Sequence, residues 1–196
     1  MREAATTYNL RPWLASLLPL TGISAVAALN GYSDVVMLGF FTTGADVGHY
    51  KVAAQVGAVA FLLQTVGNAL LAPRIAAAQA RGDNVHLQKI VTFGARFMSG
   101  ATALVVTAII AFGPPLITFV FGVDYAPAVL ITIVFAVGAL LTVLCGPTGT
   151  VLNMTHRERT TARLAFASAA VNIVLNLALI PLLGPLGAAL ATIFAL

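Results

Sequence analysis

Asp34 is the residue with the clearest chemical potential. It is the only acidic side chain that sits inside an apolar run. Asn30 precedes it by four residues, and the same spacing recurs in Asn172 with Asn176 and in Gln64 with Asn68. Residues four apart share one face of an α-helix. Polar groups are costly in an apolar medium, so such pairs turn towards the protein interior or a water-filled cavity. Two readings follow. The pairs can be hydrogen-bond glue between helices, which is the favoured reading for Gln64 and Asn68. Alternatively, a partly buried carboxylate with amide neighbours can hold a monovalent cation or exchange a proton. The run of helix from Leu14 to Asp34 measures about 30 Å, which places Asp34 towards the outer leaflet, where it could also reach water.

Other chemistry is not encoded. His49, His86 and His156 stand far apart, and no pair has metal-ligand spacing. There is no phosphate-cradling glycine-rich loop ending in Gly-Lys-Ser or Gly-Lys-Thr, and no Ser, His and Asp that belong together. The expectation is a protein that is not an enzyme, with no metal site and no cofactor beyond a monovalent cation or a proton.

The elements that must position these residues follow from composition. The chain has 196 residues, of which 60% are hydrophobic and only 8% charged. Soluble domains carry about 25% charged residues, so a water-facing surface is out of reach. A net charge of +4 would hint at nucleic acid in a soluble protein. Here the basic residues sit in short gaps between apolar runs, where they set membrane orientation. The lone cysteine, Cys145, can form no internal disulfide.

A helical span needs about 20 mostly apolar residues. Five full spans are expected, at residues 12–41, 48–73, 90–121, 126–154 and 163–183. A partial sixth covers residues 187–196 and stops in mid-membrane. The first run is too long for the apolar core of a cleaved signal, which is about 7–15 residues, so it is read as an uncleaved span. Trp13, Tyr50 and Tyr125 have the character of interfacial anchors.

The gaps alternate in charge. The N-terminus carries Arg2 and Arg11. The second gap carries Arg74, Arg81 and Lys89, with Arg96 beyond it, and the fourth carries Arg157, Arg159 and Arg163. The first and third gaps are acidic, through Asp46 and Asp124. The positive-inside rule then places the N-terminus and the basic gaps in the cytoplasm. These cations either set topology or meet an anionic lipid head group. Ala-rich residues before Gly82, and Asp83 or Asn84 as a cap, suggest a helical second gap lying along the inner surface.

Pro19, Pro114, Pro115, Pro147 and Pro181 fall inside apolar runs, where proline tends to kink a helix. Gly146, Pro147 and Gly149 form the strongest break, read either as packing geometry or as a hinge for a moving helix.

These segments, in this order, resemble the polysaccharide-transport members of the MOP (multidrug/oligosaccharidyl-lipid/polysaccharide) flippase superfamily. The resemblance rests on Leu18-Pro19, on Asp34 through Met37-Leu38-Gly39, and on Val47-Gly48 with Tyr50 and Ala53. It continues in Pro73-Arg74-Ile75-Ala76 followed by Gly82-Asp83 and Arg96, and in Phe121-Gly122 with Tyr125 and Ala128. It ends in Leu152-Asn153-Met154-Thr155, where His156 replaces the usual Gly, and in Asn172, Asn176, Ile180-Pro181 and Gly187-Ala188-Ala189.

The resemblance implies an all-α polytopic bundle forming the C-terminal lobe of a two-lobe transporter in the bacterial inner membrane. It implies an undecaprenyl-pyrophosphate-linked glycan as substrate, moved by alternating access for lipopolysaccharide O-antigen, exopolysaccharide or capsule biosynthesis. Its implied partners are membrane lipid and a missing N-terminal lobe, and no nucleic acid. It also implies Na+ or H+ as coupling ion, with Asp34, Asn172 and Asn176 as candidate ligands and Asn30, Gln64 and Asn68 as cavity or glue residues. The truncated sixth span is expected to lack whatever ligands that helix carries. The alternatives are a drug/cation antiporter of the same superfamily, disfavoured by the single intramembrane acid, and a non-transporting membrane fragment.

Overall fold

The computed structural model describes residues 31–155 and 157–196, with Leu17, Thr21 and Gly22. Arg2, Arg11, Trp13, Pro19, Asn30 and His156 lie outside the described residues. Helix α1 comprises Gly31–Phe41. Next come α2 (Gly44–Ala80), α3 (Asn84–Phe121), a 3-10 turn (Val123–Tyr125) and α4 (Ala126–Leu144). The chain ends with α5 (Thr148–Met154), α6 (Glu158–Leu183) and α7 (Pro185–Ala195). Every element among the described residues is helical.

Among the described residues, four helical stretches are long and apolar enough to cross a membrane: α2, α3, Val123–Leu144 and α6. Their outward faces are made for lipid. Leu70 on α2 is 67% exposed and Phe119 on α3 is 88% exposed, a heavy penalty in water and none against acyl chains. The protein is thus a multi-pass helical membrane bundle.

Inside, small residues let the helices approach. Ala53, Ala60, Ala136, Ala139, Ala188 and Ala189 are fully buried. Close packing of this kind drives helix association where the hydrophobic effect does not. A Cβ on Gly57 would come within 2.6 Å of Phe135 Cβ, fixing α2 against α4. Gly67 lies against Met98, and Gly94 against Leu71. Moving four residues along α2 therefore moves four residues back along α3, so the two helices form an antiparallel hairpin.

Residues 74–89 do not form a separate surface segment. α2 runs through Pro73 to Ala80, and α3 begins at Asn84. The reason is packing. Ile75 and Ala78 are buried, and Leu71, Ile75, Met98 and Val143 form a cluster with Leu87, Ile90, Val151 and Met154. The turn shrinks to residues 81–83, with Gly82 at φ +68°. Asp83 caps α3 by accepting from His86 N–H at 2.9 Å.

The prolines differ in effect. Pro114 and Pro115 lie within a continuous α3, and Pro181 lies within α6. Thr118 Oγ1 donates back to the Pro114 carbonyl at 3.0 Å, the back-bond by which a threonine hydroxyl is satisfied inside an apolar helix. By contrast, the expected span 126–154 is broken. α4 stops at Leu144, Gly146 takes φ +80°, and α5 starts at Thr148. Gly146 and Pro147 lie in the break, and Gly149 lies in the first turn of α5.

Contacts between turns fix the up-and-down order. His49 Nε2 lies 3.0 Å from the Asp124 carbonyl and its ring meets Tyr125 edge-on. The first and third gaps therefore share one end of the bundle. The cluster around Ile75 and Val151 holds the second and fourth gaps at the other. At the far end of the chain, α6 and α7 fold back through Gly184 at φ +57°. A Cβ on Gly187 would strike the Leu179 carbonyl. α7 also packs on α4, where Gly138 makes room for Ile193.

Candidate functional site

The α6–α7 hairpin and α1 converge on Asp34. The Asn172 and Asn176 spacing puts both amides on the inward face of α6, and they are 2% and 0% exposed. Asp34 is 4% exposed, so it does not reach water as the outer-leaflet placement allowed. Its carboxylate accepts from Tyr50 Oη at 2.7 Å, from Asn176 Nδ2 at 2.6 Å and from Thr192 Oγ1 at 2.5 Å. The donors come from α2, α6 and α7, so one carboxylate ties four helices together.

A second tier surrounds it. Asn176 Nδ2 also donates to Asn172 Oδ1 at 3.0 Å, and Ser33 Oγ donates to the same oxygen at 3.4 Å. Thr192 Oγ1 also lies 3.1 Å from the Ala188 carbonyl. The orientation of Asn176 is forced, because both its neighbours, Asp34 and Asn172 Oδ1, are acceptors. That leaves Asn176 Oδ1 buried with no partner. An orphaned buried oxygen is rare and costly, and here it stands on the residue that touches the carboxylate.

Asp34, Tyr50, Asn172 and Thr192 line a cavity of about 650 Å³ whose wall also includes Lys51 and Gln55. The cluster combines a carboxylate, two amide oxygens and the hydroxyls of Tyr50 and Thr192. Oxygen donors of this kind suit a hard cation. No group of His, Cys, Asp and Glu that could hold a transition metal occurs among the described residues.

Two members of the cluster escaped the sequence reading. Tyr50 was expected as an interfacial anchor, yet it is 4% exposed, with its ring edge-on to Phe135. Thr192 lies in the run expected to stop short. Eleven residues of α7 are enough to bring its hydroxyl to Asp34. The available signal was one hydroxyl in an otherwise apolar run.

The other candidates lie elsewhere. Gln64 and Asn68 are half-buried on α2, and Asn68 Oδ1 has no partner. They are separate from the Asp34 cluster. Arg74, Arg81, Lys89 and Arg96 are exposed along the α2–α3 hairpin, and Arg157, Arg159 and Arg163 are exposed at and beyond the start of α6. Comparison with protein-family models, with curated proteins and with solved structures finds no match.

Proposed function

We propose that this chain is the C-terminal lobe of a lipid-linked oligosaccharide flippase of the bacterial cytoplasmic membrane, with its N-terminus in the cytoplasm. It acts with an N-terminal lobe, by alternating access, on an undecaprenyl-pyrophosphate-linked glycan destined for the cell surface. The observation that carries the reading is the buried Asp34 carboxylate, held from three other helices beside a cavity and beside the orphaned Asn176 Oδ1. Intramembrane carboxylates of this kind mark ion and proton pathways.

The coupling ion is Na+ or H+. For Na+, the ligands are Asp34, Asn172, Asn176 and Thr192. A half-turn of the Asn176 amide would bring its unpartnered Oδ1 to the ion and withdraw Nδ2 from the carboxylate. For H+, Asp34 takes the proton and Tyr50 changes from donor to acceptor. Either event changes which helices Asp34 holds together, and that is the differential contact a two-state transporter needs.

The test is export of surface glycan in cells that depend on this protein. Asp34→Ala and Asn176→Ala are expected to lower export at unchanged membrane abundance. Unchanged export in both variants would refute ion coupling through this cluster. Resistance to cationic dyes on expression would instead favour a drug antiporter.

A further inference from the structure

The α2–α3 hairpin carries a second feature, remote from Asp34. A groove of about 260 Å³ runs between the two helices. Its walls are apolar or glycine from Leu63 to Leu71 on α2 and from Phe93 to Ala101 on α3, and the one charged residue on it is Arg74 at the turn end. From Leu63 to Arg74 the groove extends about 16 Å along α2. That is about half the hydrocarbon thickness, the depth of one leaflet. Phe93 and Phe97 stack at its lip with centroids 6.4 Å apart, 72% and 69% exposed. Phe93 also lines a second hollow, together with Val85, Gln88, Lys89, Thr92 and Arg96.

Neither hollow has an acidic side chain in its lining. The nearby Asp83 is committed to the cap of α3. Arg96 lies about 18 Å along α3 from Asn84, exposed in the hollow that also holds Lys89, and a cation without a counter-charge is expensive within a membrane. Arg74 thus lies on the leaflet-deep apolar groove itself, and Lys89 and Arg96 line the hollow that shares Phe93 with it.

We propose that this groove binds one anionic phospholipid of the surrounding bilayer. One acyl chain lies between α2 and α3, and the phosphate sits at the turn end in the combined field of Arg74, Lys89 and Arg96. Charge complementarity selects the head group, and the length of the groove selects a single-leaflet chain rather than a longer isoprenoid. The site is independent of the transport reading.

The test is native mass spectrometry of the full chain released from mild detergent with defined lipids. Phosphatidylglycerol is expected to remain bound and phosphatidylcholine to be lost. Glycerol phosphate, which lacks chains, should not bind. Each of Arg74→Gln, Lys89→Gln and Arg96→Gln should weaken phosphatidylglycerol retention about fivefold. Val66→Trp keeps every charge but fills the groove, and it should abolish retention. Equal retention of phosphatidylglycerol and phosphatidylcholine would overturn the proposal, as would full retention in Val66→Trp. Preference for undecaprenyl phosphate over phosphatidylglycerol would also overturn it and assign the groove to the substrate's own tail.

Discussion

The hydrogen bond from Tyr50 to Asp34 gives a quantitative test of the cluster. Tyr50→Phe removes one donor at 2.7 Å and keeps the ring that meets Phe135. A hydrogen bond to a charged group contributes about 1.5–3 kcal/mol, so the expected loss is about 2 kcal/mol. Asp34→Ala acts differently on each donor. Thr192 keeps the Ala188 carbonyl and Asn176 keeps Asn172 Oδ1. Tyr50 Oη is left buried with nothing to donate to, at about 1–3 kcal/mol. In that background, Tyr50→Phe removes the orphan and should cost nothing, or restore about 1 kcal/mol. The two substitutions are therefore coupled by about 2–3 kcal/mol. Unfolding of the four proteins of the double-mutant cycle, followed by far-ultraviolet circular dichroism in mild detergent, measures this coupling. Equal cost of Tyr50→Phe in both backgrounds, a coupling below about 0.5 kcal/mol, would refute the network.

Further expectations concern the helices that deliver the cluster. Gly138→Val should push Ile193 and α7 away from α4, taking Thr192 off Asp34 and lowering export, while Gly39→Ala, which meets nothing within 4 Å, should be silent. Gly57→Ala should cost about 1–3 kcal/mol by overpacking, because Phe135 Cβ cannot swing away. Gly67→Ala should cost less, because it meets the flexible end of Met98; chemical unfolding separates the two. Gly184→Ala should cost about 1–3 kcal/mol for a side chain at positive φ, read as a lower thermal midpoint.

Much of this architecture was legible in the sequence. Apolar length gave the helices, and the alternation of basic and acidic gaps agrees with the shared ends that His49–Asp124 and Ile75–Val151 define. The helical spacing of Asn172 and Asn176 put both on one buried face. The Gly146-Pro147 break was visible because glycine and proline act locally. Tyr50 and Thr192 were not legible as partners of Asp34. They meet it across 16 and 158 residues of chain, through tertiary packing that leaves no periodic trace. The second gap misled for a similar reason. Its Ala-rich, charged composition suits an interfacial helix, but Ile75 and Ala78 are drawn into the bundle and α2 continues past Pro73 to Ala80.

The most direct test of the central claim, that Asp34 anchors a coupling-ion site, is the ion dependence of stability in the purified protein. Thermal unfolding would be measured in sodium chloride against choline chloride at equal ionic strength, and across pH 5 to 8, for the native chain and Asp34→Ala. At a sodium concentration one hundred times the dissociation constant, the native chain should gain about 2.7 kcal/mol, or should instead respond to pH if the ion is a proton. Asp34→Ala should lose the response. A native chain indifferent to both sodium and pH, or an Asp34→Ala variant that responds as strongly as the native chain, would contradict the account.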